Sequence, residues 1–389
     1  MRRQPAFCPW SPSLVCATVA MLGSGVQAAP AFSTPEELGA ALFFDVNLSM
    51  NRTQACATCH DPSKGFTDPR ETEAGLAVSL GDDGTSIGDR NAPTAAYAMF
   101  APEFHFDAET GFFKGGQFLD GREPDLEGQA GGPPLNPIEM GMPDKASVVA
   151  RLQENAEYVH SMEVLYGADL FDNAEAAYSA MTRAIAAFER TEEFAPFDSK
   201  YDRFLRGEYK MTDQEELGRV LFFSQQFTNC NQCHQLGRSA IDPQETFSNY
   251  EYHNIGVPEN VALREKNGMD PGYVDTGLLQ HPNVDDAAQA GKFKVPTLRN
   301  VAVTGPYMHN GVFDDLRTVV LFYDKYNSVA EARQINPETG EPWGVPEVDG
   351  TLSMEELEIG PALDDQRVDA IVAFLETLTD ARYEDLLEE

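Results

Sequence analysis

Two five-residue segments carry the most specific chemistry in the chain: Cys56-Ala57-Thr58-Cys59-His60 and Cys230-Asn231-Gln232-Cys233-His234. Both read CxxCH, a spacing at which two thiols reach the two vinyl groups along one porphyrin edge while the adjacent imidazole sits under the iron. A redox dithiol, a zinc site pooling both pairs, or a disulfide framework would also use four cysteines. None of these requires a histidine directly after each pair. The pattern therefore points to two covalently bound haem c groups, with His60 and His234 as proximal iron ligands.

The remaining cysteines fit that reading. Arg2 and Arg3 precede an apolar run from about Ser13 to Gly23, and Val26-Gln27-Ala28 supplies small residues at a cleavage point. Residues 1–28 read as a signal peptide that directs export to the periplasm, and their removal takes away Cys8 and Cys16. Every cysteine left belongs to a CxxCH. The apolar run is shorter than the roughly 18 residues of a membrane span, and no other stretch reaches that length.

An internal repeat frames the two motifs. Glu37-Leu38-Gly39 followed by Leu42-Phe43-Phe44 recurs as Glu216-Leu217-Gly218 followed by Leu221-Phe222-Phe223, each shortly before a CxxCH. Ala184-Ile185-x-Ala187-Phe188-x-x-Thr191 recurs as Ala370-Ile371-x-Ala373-Phe374-x-x-Thr377, inside helically periodic stretches. Each unit reads as helix, haem motif, long loops and closing helix. Ser33 or Thr34 with Pro35, and Thr212 with Asp213, begin the opening helices as N-terminal caps. The fold class is mainly α with little β, in an N-terminal unit 29–195 and a C-terminal unit 196–389. A short hairpin is expected across Phe104–Phe106 and Gln117–Leu119.

The chain has 389 residues, with 28 Lys+Arg against 63 Asp+Glu and a net charge of −35. The signal peptide holds two arginines and no acid, so the mature chain carries 26 against 63, or −37. That balance excludes nucleic acid as a partner, because a phosphate backbone is gripped by clustered cations. It suits solubility, basic partners or salty surroundings.

Beyond the haem motifs, the chain contains Arg90-Asn91-Ala92-Pro93-Thr94, Asp120-Gly121-Arg122, Gln129, Pro133, Ile138-Glu139-Met140, Pro296-Thr297-Leu298-Arg299-Asn300 and Thr304-Gly305-Pro306-Tyr307-Met308-His309-Asn310-Gly311. With these it resembles the bacterial di-haem cytochrome c peroxidase and MauG family over essentially the whole mature sequence. The resemblance implies two tandem cytochrome c-like domains, with hydrogen peroxide meeting the N-terminal haem and electrons passing through the C-terminal haem. It implies that Glu139 shuttles a proton at the first haem, that Gln129 is its hydrogen-bonding neighbour, and that Pro133 shapes the pocket.

Many peroxidases of the family place a distal histidine on the first haem, and it would fall around Asp82 or Asp83. No histidine is there, and the nearest, His105, lies in the expected hairpin. The first haem is thus expected to be five-coordinate at rest, as in MauG-type members. The family's sixth ligand to the second haem falls on Tyr323. Met308 is the alternative ligand and reads as packing, whereas His309 reads as a partner of a haem propionate. A phenolate ligand lowers the potential and helps hold oxidising equivalents. The resemblance also implies a calcium ion between the haems, held by Asn91, Thr304 and Pro306, a set suited to an oxygen-preferring cation. One departure stands out: Phe118-Leu119-Asp120 occupies the place where the family has a Trp before Asp-Gly-Arg.

Three functions follow from these residues. The first is a peroxidase fed by a small c-type cytochrome or cupredoxin. The second is a MauG-like enzyme that uses high-valent haem iron to oxidise Trp or Tyr side chains of a partner protein. The third is a non-catalytic electron carrier, against which Glu139 and Gln129 argue, since a relay needs no proton-handling pocket. A homodimer is compatible with all three.

Overall fold

The computed structural model describes Met1 and residues 31–388 apart from Arg238 and Pro271, so the expected signal peptide lies outside the described residues. The chain is mostly helical, with little sheet. Helix α1 (Pro35–Phe43) starts where the Thr34 side chain accepts the Glu37 N–H at 3.2 Å. Pro35 fills its first turn, where a missing N–H loses no helical bond. It is followed by the single turn α2 (Cys56–Cys59), then α3 (Leu126–Ala130), α4 (Lys145–Gln153), α5 (Ala156–Tyr166) and the long α6 (Ala174–Glu189).

A similar order returns with α7 (Lys200–Leu205), α8 (Asp213–Phe222), the single turn α9 (Cys230–Cys233), α10 (Val261–Arg264), α11 (Leu316–Asp324), α12 (Met354–Leu357) and α13 (Asp365–Glu376). At the start of α8 the Thr212 hydroxyl accepts the Glu215 N–H at 3.2 Å, and the Glu215 carboxylate accepts the Thr212 N–H at 2.7 Å. This reciprocal cap satisfies two donors that the helix itself leaves open.

The repeat seen in the sequence is a repeat in space. Helix α1 packs across α6, and α8 packs across α13. Both crossings are so close that only hydrogen fits at the contact: a methyl on Gly39 would lie 1.9 Å from the Ala184 carbonyl oxygen, and one on Gly218 would lie 1.8 Å from that of Ala370. Around the first crossing Leu38, Leu42, Phe43, Met181, Ile185 and Phe194 are buried together. Around the second, Leu221, Phe222, Phe247, Val368, Ile371 and Phe374 form a separate core.

The loops between the motifs and closing helices hold two small antiparallel pairings. β1 (His105–Asp107) pairs with β2 (Phe112–Lys114), and β3 (Tyr252–His253) pairs with β4 (Phe293–Lys294). The expected hairpin therefore exists with a nearer second strand. Gly111, with φ of 78°, returns the chain by donating to the Asp107 carbonyl at 2.8 Å, and left-handed Gly115 and Gly116 end the strand before Gln117. The segment between the two cores is partly buried. Phe194 is buried in the first core and Tyr201 in the second, while Ser199 and Asp202 are buried beside Arg299.

Helix α6 ends on a buried acid, Glu189, whose charge acts on the nearby Cys56 thiol. Burial pushes the Glu189 carboxyl up to about 8, with Arg190 opposing, and one of its oxygens has no partner among the described residues.

Two outcomes are expected. Gly218→Ala or Gly39→Ala forces the helices apart and lowers stability by about 3 kcal/mol, read by denaturant unfolding. Because the folded carboxyl of Glu189 holds its proton more tightly than the unfolded one, its contribution is complete at acid pH and is lost as pH rises toward about 8. Thermal midpoints of Glu189→Gln should therefore gain on the parent between about pH 5 and about pH 8, and parallel curves would disprove this.

Candidate functional site

Each CxxCH folds as one helical turn that ends in its histidine. The His60 N–H donates to the Cys56 carbonyl at 2.9 Å, and the His234 N–H donates to the Cys230 carbonyl at 2.8 Å. The His60 Nδ1 lies 3.1 Å from the Phe66 carbonyl oxygen, and the His234 Nδ1 lies 3.1 Å from that of Phe247. A carbonyl only accepts, so Nδ1 must carry the proton, and Nε2 keeps a free lone pair for iron. Burial lowers both imidazoles, His234 to about 4, which keeps them neutral as metal ligands must be.

The two carbonyls are aimed by the same device. Phe66 and Phe247 both have φ of 56° and are fully buried. Phe66 stacks on Phe194 at 4.3 Å, and Phe247 meets Tyr201 at 5.2 Å and Phe222 at 5.8 Å. A left-handed phenylalanine is a strained residue that only such packing sustains. None of the four cysteines of the two motifs forms a disulfide. Cys56 packs on the first core and Cys230 on the second, so the two pairs do not pool into one site.

At the first motif, Gln129 at the end of α3 and the loop that follows with Pro133 and Glu139 fold together. The Gly132 N–H donates to Gln129, the Met140 N–H donates to Pro133 at 3.2 Å, and the Glu139 N–H donates to Asn136 at 3.0 Å. Glu139 is close enough to Cys59 to add to the forces, chiefly burial and Asp68, that raise that thiol to about 12. Burial raises the Glu139 carboxyl above its ordinary range, against the pull of Arg122 and Asn136. A carboxyl that takes and returns a proton near neutral pH needs this kind of environment.

Asp82 is one of the two positions around which the family's distal histidine is expected, and its side chain is fully engaged. Its carboxylate accepts from Ser49 Oγ at 2.7 Å, Thr53 Oγ1 at 2.6 Å and the Asn51 N–H at 2.5 Å, while its own N–H donates to the Glu139 carbonyl at 2.7 Å. Asp82 thus braces the Glu139 loop. His105 is exposed on β1 and bonded to Glu103.

At the second motif, a cavity of ≈ 370 Å³ opens, lined by Cys230, Cys233, His234 and, from α11, Leu316, Val320 and Tyr323. Burial raises the Tyr323 phenol, the charges of Cys233 and Cys230 adding to it, and its hydroxyl has no hydrogen-bond partner among the described residues. Haem fits here: the cavity joins two unpaired thiols, a neutral imidazole and an unpartnered phenol within mainly apolar walls. Met308, left-handed at φ of 73°, reaches the same cavity, as does His309. The His309 ring stacks on Phe293 at 3.7 Å, and its Nε2 lies 3.8 Å from a Glu347 oxygen, both atoms lacking a hydrogen bond among the described residues.

Asn91, Thr304 and Pro306 each line this cavity. The Asn91 side-chain N–H donates to the Ala77 carbonyl at 3.1 Å, leaving Oδ1 free to accept. Neither the Thr304 nor the Pro306 carbonyl accepts a backbone bond among the described residues. Three uncommitted oxygens suit a calcium ion.

Sequence reasoning missed several residues of these sites. Phe66 and Phe247 were legible only as a phenylalanine shortly after each motif. Glu189 fell on an unassigned position of the repeated closing pattern. Lys294 lines the cavity and bonds the Gly116 carbonyl, and burial brings its ammonium down to about 8. Nothing near it in sequence marks it.

The di-haem cytochrome c peroxidase family profile matches residues 33–210. The chain is 58% identical to the methylamine utilization protein MauG of Paracoccus denitrificans over 367 residues, covering 94% of each. It is 32% identical to the cytochrome c551 peroxidase of Nitrosomonas europaea, covering 72% of this chain and 70% of that protein. The crystal structure of the diheme peroxidase BthA from Burkholderia thailandensis is similar, with a TM-score of 0.77 at 32% identity, covering 90% of this chain and 87% of that one. Two histidine-terminated turns with matching carbonyl clamps and a relative this similar along its whole length lead to one conclusion: the chain belongs to the di-haem cytochrome c peroxidase and MauG family, oxidoreductases acting on peroxide.

Proposed function

We propose that the protein reduces hydrogen peroxide at the haem bound through Cys56, Cys59 and His60, with the haem bound through Cys230, Cys233 and His234 passing electrons to it. The observation that carries this reading is Glu139: a buried carboxyl with a raised pKa beside the first motif, its backbone braced by Asp82. The haems supply the redox chemistry. Glu139 takes a proton from one oxygen of hydrogen peroxide and returns it to the other, so that cleavage of the O–O bond releases water. Gln129 and Pro133, in the same folded segment, orient the peroxide and limit access.

His60 and His234 would hold the two irons, and Tyr323 would offer its phenol oxygen to the second. His309 holds a propionate, and Asn91, Thr304 and Pro306 hold calcium. The two cores support a division into cytochrome c-like domains at 29–195 and 196–389, after removal of residues 1–28 on export to the periplasm. No described helix is long and apolar enough to cross a membrane. The electron donor is a small c-type cytochrome or a cupredoxin.

A second use of the oxidising equivalents has its own support. Tyr323 and His234 line one cavity, no histidine stands at Asp82 or Asp83, and the match to the MauG relative covers 94% of that protein. These favour a MauG-like enzyme that oxidises Trp or Tyr side chains of a partner protein.

Stopped-flow mixing with peroxide, with and without a reduced small cytochrome, separates the two. Fast cytochrome oxidation supports the peroxidase, slow oxidation with new cross-links in a protein partner supports the second use, and no reaction with peroxide at all refutes both. Glu139→Gln should slow the reaction with peroxide on the order of a hundredfold. Tyr323→Phe should change the visible spectrum of the second haem, and an unaltered spectrum would refute that ligand.

A further inference from the structure

We propose that Trp343 is the port through which electrons from a protein partner reach the second haem site. The inference rests on the reading that Tyr323 faces the second haem. The sequence has two tryptophans, and the other, Trp10, lies in the expected signal peptide, so Trp343 is the one indole of the mature chain.

A single ring separates that indole from Tyr323. Phe322 meets Tyr323 at 6.1 Å and Trp343 at 5.5 Å, both edge to face at 77°. Phe313 touches Phe322 at 5.1 Å and Trp343 at 5.6 Å, which closes the cluster. Tyr323 lies on the cavity side of α11, whereas Trp343 is half-buried in an exposed stretch, with Glu341, Pro342 and Gly344 exposed and Val345 at 82% exposure. A partner seated there touches Trp343 directly, and the exposed Glu331, Glu338 and Glu341 together with the net charge of −35 select one with a basic face.

The chemistry balances. One electron leaves the Trp343 indole for the second haem site, and one electron from the partner refills it. Two such passages with two protons convert one hydrogen peroxide into two waters. No proton needs to move at the indole, because its Nε1–H donates at 2.8 Å to the Arg333 carbonyl, which cannot take the proton. Lys325 places its Nζ 3.7 Å over Phe322 and 5.9 Å from Trp343. That cation makes electron loss costly on both rings, so Phe322 stays a medium and an oxidised Trp343 is quickly refilled.

The test compares holoprotein carrying Trp343→Phe or Trp343→Tyr with the parent, using hydrogen peroxide and a reduced basic cytochrome c. The Phe variant should oxidise the cytochrome at least about tenfold more slowly, while the Tyr variant, still oxidisable, keeps most of the rate. Both should retain the parent's haem spectrum, and both lose the indole's bond to Arg333 and with it a similar part of the thermal stability. An unaltered rate in the Phe variant overturns the proposal. Equal losses in both variants overturn it too, since they would mark a packing role. Failure of the Tyr323 reading shows separately, as an unaltered spectrum in Tyr323→Phe.

Discussion

One buried cation ties the two sites together. Arg299 has no exposed surface and lies between the two cores, where its guanidinium donates to Asp202 at 2.6 and 3.0 Å and to the Glu245 carbonyl at 2.7 and 2.9 Å. The rings of Tyr97, Phe197, Tyr201 and Phe247 surround it. On one side, Glu245 begins the loop whose Phe247 carbonyl orients His234. On the other, Tyr97 bonds Phe194, which stacks on Phe66, whose carbonyl orients His60. A charge removed from water stays buried only if its partners are complete, and breaking such a pair costs about 3–5 kcal/mol. Arg299 therefore joins the segments that carry the Phe66 and Phe247 carbonyls, and through them His60 and His234.

The parts of this architecture that were legible in the sequence are those written in local spacing. CxxCH is one helical turn, so its chemistry is contained in five consecutive residues. The glycine and alanine of each repeat mark a crossing where two backbones touch, and the caps at Thr34 and Thr212 lie within a turn of the helices they start. The carbonyls of Phe66 and Phe247 were hidden because a backbone conformation held by distant aromatic packing leaves no local pattern. Asp82 was legible as the absence of a histidine and not as a brace, since its partners Ser49, Asn51 and Thr53 are about thirty residues away. Asp202 and Ser199 carry no local sequence signal, because only the fold brings Arg299 to them.

The segment before Asp120 holds no indole, and its neighbours show what fills that place. Leu119 stands where the family has a Trp, and its carbonyl accepts the Lys294 N–H at 2.9 Å, which fixes it as a backbone joint. The neighbouring aromatic, Phe118, adopts φ of 61°, lines the second cavity, and lies against the Gly132 loop that leads to Glu139. The Arg122 guanidinium sits 3.6 Å over its ring. A cation stacked on an aromatic face is attracted to the neutral ring and repelled by an oxidised one. Phe118 can therefore fill the space between the sites with polarisable matter but cannot hold a charge there.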